Sequence, residues 1–291
     1  KLLTPKKKKI KFITITPFSS SLYINTFLVT SFSPRKSKDL IFSLSFRIFS
    51  TTMEKSDIES GVVIGGKELY PKMTESTELR WAFIRKVYAI LTLQLIVTVG
   101  VSSVVFFVGE ISVFITTTTP GLVVFFVSLL LPLLMLWPLI VFAKKHPVNL
   151  IILMLFTLSI SFAVGLCCSF SKGKIVLEAA VLTATMVVGL TIYTFWAVRR
   201  GHDFSFLAPF LFGSLLIILV FATIQVFHPL GKLSSMIFSC VASVCFCGYI
   251  IYDTNQLIKK LNYDEYIHAA ISLYLDVINL FLNLVGILVH T

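Results

Sequence analysis

Two aspartates lie inside apolar stretches of the C-terminal third of the chain. Asp253 stands in Tyr249-Ile250-Ile251-Tyr252-Asp253-Thr254-Asn255, and Asp276 in Leu273-Tyr274-Leu275-Asp276-Val277-Ile278-Asn279. A carboxylate in hydrocarbon is costly, so an acid found there is a functional-site candidate by default. A polar turn containing Lys259, Lys260, Asp264 and Glu265 separates the two runs. If the runs are helices folded back at this turn, with its midpoint near residue 264, Asp253 and Asp276 lie 11 and 12 residues from the fold. Both then reach a similar depth. Two carboxyl groups in hydrogen-bonding reach cannot both ionise readily, and they titrate as one unit. A shared proton would lock the two helices together. Its loss would leave two repelling charges and free hard oxygens of the kind calcium prefers. Asp253 and Asp276 are therefore a candidate pH-sensing and gating pair, and a candidate weak calcium site. The alternative is that each aspartate separately meets a tyrosine hydroxyl, a backbone group or a lysine.

Other polar residues extend this pattern. Ser272, Asp276, Asn279 and Asn283 follow one another at helical spacing and share one face. That face reads either as a pore lining or as interhelical hydrogen-bonding glue worth about 0.6–2 kcal/mol per contact. Glu178 sits just inside the outer end of another apolar run. It suits the mouth of a cation path, or an interfacial pair with Lys174 at i−4. His146, His202 and His228 have no ligand partners in sequence, and Cys245-Phe246-Cys247 lacks zinc spacing. The five cysteines all fall in apolar runs, where a free thiol packs as a small hydrophobe.

The elements that must hold these groups are membrane helices. Hydrophobic residues make up 56% of the chain, charged residues 13%, and the mean hydropathy is +0.92. Apolar runs near Val87–Val108, Gly121–Phe142, Asn149–Cys168, Ile175–Val198, Phe206–Phe227, Leu233–Leu257 and Ile267–Val289 are each long enough to cross about 30 Å of hydrocarbon. Backbone groups in lipid must be satisfied internally, and the alternating segments of a barrel are absent from the sequence. The expected fold is all-α, a polytopic membrane bundle of seven transmembrane helices. The last run, with its four polar residues, could instead be re-entrant.

The net charge of +11 is concentrated at one end. Residues 1–52 hold ten Lys or Arg and one Asp, which leaves +2 for residues 53–291. The bundle carries no basic stripe with interleaved aromatics, so nucleic acid is not an expected partner. Residues 1–52 precede the first Met, Met53, and read as translated upstream sequence or as a targeting segment without a fixed fold. Residues 53–86 read as an acidic cytosolic tail, and 87–291 as the seven-helix membrane domain. Nine basic residues (Arg80, Arg85, Lys86, Lys144, Lys145, Arg199, Arg200, Lys259 and Lys260) fall on one side of that topology, against Lys172, Lys174 and Lys232 on the other. The excess of positive charge predicts a cytosolic N-terminus. That orientation is opposite to a G-protein-coupled receptor. Pro132 and Pro138 predict a kink in the second run, static or hinge-like.

From about Glu78 to Asn283 the chain resembles the Bax-inhibitor family of small seven-span membrane proteins, in particular its LIFEGUARD branch. The strings that carry the resemblance, in order, are Phe83-Ile84-Arg85-Lys86-Val87-Tyr88, Val176-Leu177-Glu178-Ala179, Leu190-Thr191-Ile192-Tyr193-Thr194-Phe195 and the two aspartate segments. The resemblance implies a calcium leak pathway in an internal membrane, gated by pH through the aspartate pair, and suppression of programmed cell death. It also implies a cationic partner for the pair, for which Lys144 and Lys145 are the nearest candidates. No tightly bound cofactor is expected, only calcium as permeant ion. The expected partners are the bilayer, calcium and cell-death regulatory membrane proteins. The expected location is the endoplasmic reticulum, with Golgi, vacuolar or plasma membrane as alternatives.

Two other functions compete with the channel. Intramembrane aspartyl proteases also place one aspartate after a tyrosine on one span and a second aspartate on the next. They need small residues before the second acid, where a substrate backbone approaches, and here Tyr274 and Leu275 are bulky. A scaffold that docks survival factors would need neither aspartate. The chain is expected not to be an enzyme.

Overall fold

A computed structural model describes Leu69 and residues 76–142, 145, 147–227 and 231–290. The readings of residues 1–52, of most of the tail before Ser76, and of Lys144 lie outside the described residues. The described chain is almost wholly helical, with no strand among the described residues. In order the helices are α1 (Thr77–Phe107), α2 (Gly109–Thr117), α3 (Thr119–Val141), α4 (Val148–Ser169), α5 (Gly173–Arg199), α6 (Leu207–Phe227), α7 (Lys232–Lys259) and α8 (Tyr266–His290), with a 3-10 turn at Tyr263–Glu265 before α8.

Six of these helices are long and apolar enough to cross a membrane: α1, α4, α5, α6, α7 and α8. The second expected span corresponds to α3, whose apolar part, Val123–Leu139, is shorter. The helix runs through both Pro132 and Pro138. Its start is capped by the Thr118 hydroxyl, which accepts from the Gly121 amide at 3.1 Å.

Helix α1 starts at Thr77, ahead of the apolar run expected from Val87. Arg80, Phe83, Ile84, Val87 and Leu91 recur at helical spacing and are buried, so one face of the early turns packs on the bundle. Glu78 in the first turn suits the positive end of the helix dipole. Arg80, read from sequence as a solvated topogenic charge, is only 2% exposed.

Helix α8 is the central element. It packs on α7 most extensively, and also on α5 and α1. Of its apolar window 72% is buried, against 11% for α5 on the lipid-facing side. This explains why a helix with Ser272, Asp276, Asn279 and Asn283 remains one continuous helix: its neighbours, not lipid, surround the polar groups. Helix α4 packs between α1 and α3, while α6 leans on α7. Gly165 of α4 lets α1 approach closely, since a Cβ there would lie 2.8 Å from that of Val105 and 3.0 Å from the Ser102 Cα.

Candidate functional site

Asp253 projects from α7 and Asp276 from α8, and the two carboxyl groups meet in hydrogen-bonding contact. The sequence reading placed them at similar depth, and the structure brings them together. The arms are not joined by a tight turn. Residues 260–265 form the connection and end in a capping box, in which the Asn262 amide donates to Glu265 Oε2 at 3.0 Å. Asp276 is 7% exposed, and Asp253 is partly exposed. Ionised carboxylates only accept hydrogen bonds, so a bond between two of them requires a proton on one.

The surroundings of the pair are poor in donors. Asp276 Oδ2 and Asn279 Oδ1 are buried and receive no hydrogen bond from elsewhere in the described protein. Buried polar oxygens without a donor call for a proton, a water or a cation. The phenols of Tyr249 and Tyr252 lie within electrostatic range of Asp253, and Tyr249 within range of Asp276 as well. Only the Tyr249 proton is committed elsewhere, since the Tyr252 hydroxyl acts as an acceptor. Tyr249 donates to the Leu211 carbonyl of α6 at 2.9 Å, and Tyr252 accepts from Gln256 Nε2 at 2.5 Å.

The rest of the polar face of α8 is more inward-looking than the sequence suggested. Asn279 Nδ2 donates to the Leu275 carbonyl and Asn283 Nδ2 to the Asn279 carbonyl, both at 2.8 Å. One amide N–H of each is spent on its own helix. Both asparagines are buried, and Ser272 is half-buried. Glu178 lies apart on the exposed side of α5, 3.7 Å from Lys174. Lys145 is exposed, with its ammonium 5.4 Å from the centre of the Phe142 ring. Among the described residues no three His, Cys, Asp or Glu gather as a metal centre. Any calcium site would have to combine the two carboxylates with amide oxygens such as Asn279 Oδ1, a sparse set that suits weak binding. A cleft of about 490 Å³ is lined by Glu78, Trp81 and Arg85 and does not include the aspartates.

Two polar networks escaped the sequence reading. The first ties α1, α4 and α8 in the bundle interior. Thr98 Oγ1 lies 2.7 Å from the Tyr274 hydroxyl and 3.1 Å from Ser161 Oγ, and Gln94 Nε2 donates to Thr157 Oγ1 at 3.1 Å. It fixes α8 two residues before Asp276. Tyr274 and Leu275, the bulky residues before that acid, are buried.

The second network gathers at the end of the bundle that holds the α7–α8 hairpin. Arg80 donates to the Leu261 carbonyl at 2.6 Å, and its guanidinium lies 5.1 Å from the centre of the Tyr263 ring. The Lys86 ammonium sits 3.4 Å from the centre of the Tyr266 ring, whose hydroxyl accepts from Asn149 Nδ2 at 3.0 Å. Beyond α5, Gly201 takes a left-handed conformation at φ 89°, which glycine adopts without steric cost. The chain turns there and presents Asp203 to α7. Asp203 Oδ1 accepts from Asn255 Nδ2 at 3.0 Å and from the Ser205 hydroxyl at 2.8 Å, and lies 3.6 Å from Lys259 Nζ. Lys259 also donates to the His202 carbonyl at 2.7 Å. Burial pushes the Asp203 carboxyl up, but Asn255, Ser205 and the Lys259 ammonium together outweigh it and hold the group below its ordinary value. Lys259, which sequence placed in a solvated turn, has only 14% of its side chain exposed. The sequence signal for this contact was the Asp203-Phe204-Ser205 string, a common local turn former. Nothing in it names α7 as the partner.

These contacts bring the starts of α1, α4 and α8, the end of α7 and the α5–α6 loop to one end of the bundle. Arg80, Arg85, Lys86, Arg200, Lys259 and Lys260, counted on one side of the topology, are borne by these segments.

Comparison with known proteins places the chain in a family. Residues 80–290 match the family described as "Inhibitor of apoptosis-promoting Bax1". The chain is 75% identical over 236 residues to "Protein LIFEGUARD 1" of Arabidopsis thaliana, an alignment covering 81% of this chain and 99% of that protein. It is 37% identical over 213 residues to "Protein lifeguard 4" of Mus musculus, covering 73% of this chain and 87% of the mouse protein. It is 36% identical over 213 residues to a "Golgi anti-apoptotic protein" of Vaccinia virus (strain Lister), again covering 73% and 87%. An integral membrane protein with an acid pair between its two C-terminal helices, matched over this length, belongs to the Bax-inhibitor family and to its LIFEGUARD branch.

Proposed function

We propose that the chain is a pH-sensitive calcium leak pathway of an internal membrane, gated by Asp253 and Asp276, and that it restrains programmed cell death. The observation that carries the reading is the contact between two carboxyl groups beside buried oxygens that lack donors. With one proton between them, the carboxyls bind α7 to α8. Without it, two like charges about 4 Å apart repel by about 4 kcal/mol at an effective dielectric constant near 20. A single interhelical polar contact in a membrane averages about 0.6 kcal/mol. Repulsion therefore wins locally, the helices part, and the exposed carboxylates with Asn279 Oδ1 offer oxygens to a calcium ion. Calcium is a permeant ion here and not a resident cofactor. Lys144 or Lys145 would supply a countercharge as the pair ionises.

The description of the matched family and the name of the viral relative support the cell-death role, and the viral relative's name supports an endomembrane location such as the Golgi. The nine-to-three distribution of basic residues supports a cytosolic hairpin end, with α3 as a seventh crossing.

Calcium efflux from liposomes holding the purified full chain, measured across pH, tests the reading. Flux should rise as pH rises through the point where the pair loses its proton, and added calcium should move that point to lower pH. Asp253→Asn, Asp276→Asn and the double variant should each flatten the response to a similar level, because the two groups act as one. Single variants that keep the parent's pH profile, or a double variant equal to the sum of two independent shifts, would overturn the gate.

A further inference from the structure

Asp253 and Asn255 stand on the same turn of α7 but face different neighbours. They are two residues apart, so about 200° apart around the helix. Asp253 meets Asp276 on α8, while Asn255 donates to Asp203 in the α5–α6 loop. One turn further on, Lys259 adds an ion pair to Asp203 and a hydrogen bond to the His202 carbonyl. Two attachments on nearly opposite sides of one helical turn fix its rotation about its axis. Either attachment alone leaves the helix free to swivel about the other.

The buried state of Asn255 makes this tie stringent. The residue is 0% exposed, and its Oδ1 has no donor among the described groups. If Asp203 withdrew, the amide would be left buried with both ends unmatched, which is unfavourable. Helix α7 would then turn to bring Asn255 toward water, and the same turn would draw Asp253 away from Asp276.

We propose that Asp203 is a positioning residue for the aspartate pair: through Asn255 and Lys259 the α5–α6 loop sets the rotation of α7, and so how firmly Asp253 is held against Asp276. The inference rests on the gating role of the pair given above. Asp203 itself is not the pH sensor. Its carboxyl is held low by its partners, so the latch stays charged through the neutral range and is lost only as pH falls through that depressed value. The groups that face it are Lys259, Asn255 and Ser205, with the Tyr252 phenol in electrostatic range of both Asp203 and Asp253. The groups around Asp253 are Asp276, Tyr249 and Tyr252.

Removing the Asp203 charge would ease proton loss from Asp253 through the electric field alone. The decisive variant is therefore Asn255→Ala, which breaks the tie and changes no charge. Two readouts on the full chain separate this inference from the channel reading. The first is the pH midpoint of calcium efflux from liposomes. Asp203→Ala and Asn255→Ala should each lower it by about half a unit to one unit, a part of what a hydrogen bond to a charged group contributes, and the double variant should move it no further than Asp203→Ala alone. The second is amide hydrogen exchange of residues 250–262 in detergent at neutral pH. Both variants should speed exchange there, while the segment around Thr98 and Ser161 stays as protected as in the parent, which also shows that the variants fold. Faster exchange in residues 250–262 with a lowered midpoint supports the latch. An Asn255→Ala variant with the parent's midpoint overturns it and leaves a field effect of Asp203 alone. Should the parent not conduct at all, the channel reading fails, and exchange decides the latch: unchanged protection in both variants refutes it, and faster exchange upholds the tie on α7.

Discussion

The contact between Thr98 and Tyr274 offers a test of how α8 is held, because its two ends are not equivalent. The Thr98 hydroxyl donates to the Gln94 carbonyl at 2.7 Å, so the bond at 2.7 Å between Thr98 and Tyr274 has the tyrosine as donor. Tyr274→Phe removes that donor and keeps the ring packed edge-on to Phe156 at 6.5 Å. Thr98 retains the Gln94 carbonyl and Ser161, so the cost should be that of one intramembrane hydrogen bond, about 0.6–1.7 kcal/mol. Thr98→Val removes the acceptor instead. It leaves the buried phenol, 0% exposed, with Ser161 as its remaining side-chain partner, so the cost should be a part of the about 1–3 kcal/mol of a fully orphaned group. Adding Tyr274→Phe to Thr98→Val removes the under-satisfied hydroxyl, so the double variant should lose less than the sum of the two singles, with a coupling energy of up to about 1 kcal/mol. Tyr274→Ala, which also loses the ring, should cost about 3–5 kcal/mol. The assay is equilibrium unfolding of the full chain in mixed micelles as a denaturing detergent is titrated, followed by helical ellipticity. A double variant whose loss equals the sum of the two singles would refute the donor assignment. A Tyr274→Phe variant as unstable as Tyr274→Ala would show that the hydroxyl holds far more than one bond.

Gly165→Val should destabilise the bundle by about 1–3 kcal/mol in the same assay, since even its first carbon falls 2.8 Å from the Val105 Cβ; a neutral result would mean that α1 and α4 can separate at no cost. Engineered glycosylation acceptors between Lys172 and Gly173 should be modified, and acceptors beside Arg200 should not, because positive charge marks the cytosolic side. Modification beside Arg200 would reverse the orientation.

Sequence alone determined the class of this protein and the location of its intramembrane acids. Hydropathy is a local property, so long apolar runs identify membrane helices without reference to their neighbours. The rarity of acids in such runs likewise marks Asp253 and Asp276 at once, and a short connection between consecutive helices forces them to be neighbours. The spacing of Ser272, Asp276, Asn279 and Asn283 fixed a common face for the same local reason. What that face looks at is not local. Only the packed bundle shows that α8 is enclosed by α7, α5 and α1, so that its polar residues are sheltered from lipid. Only there do the amides of Asn279 and Asn283 turn back on their own helix and leave the Asn279 oxygen open. Arg80 and Lys259 read from sequence as topogenic charges of a tail and a turn, and Asp203 drew no reading at all. Their partners, the Leu261 carbonyl, Asn255 and the His202 carbonyl, are as much as 181 residues away in sequence. A hydrogen bond has no sequence signature at such separations. The packing of helices brings its two ends together, and that packing belongs to the tertiary structure alone.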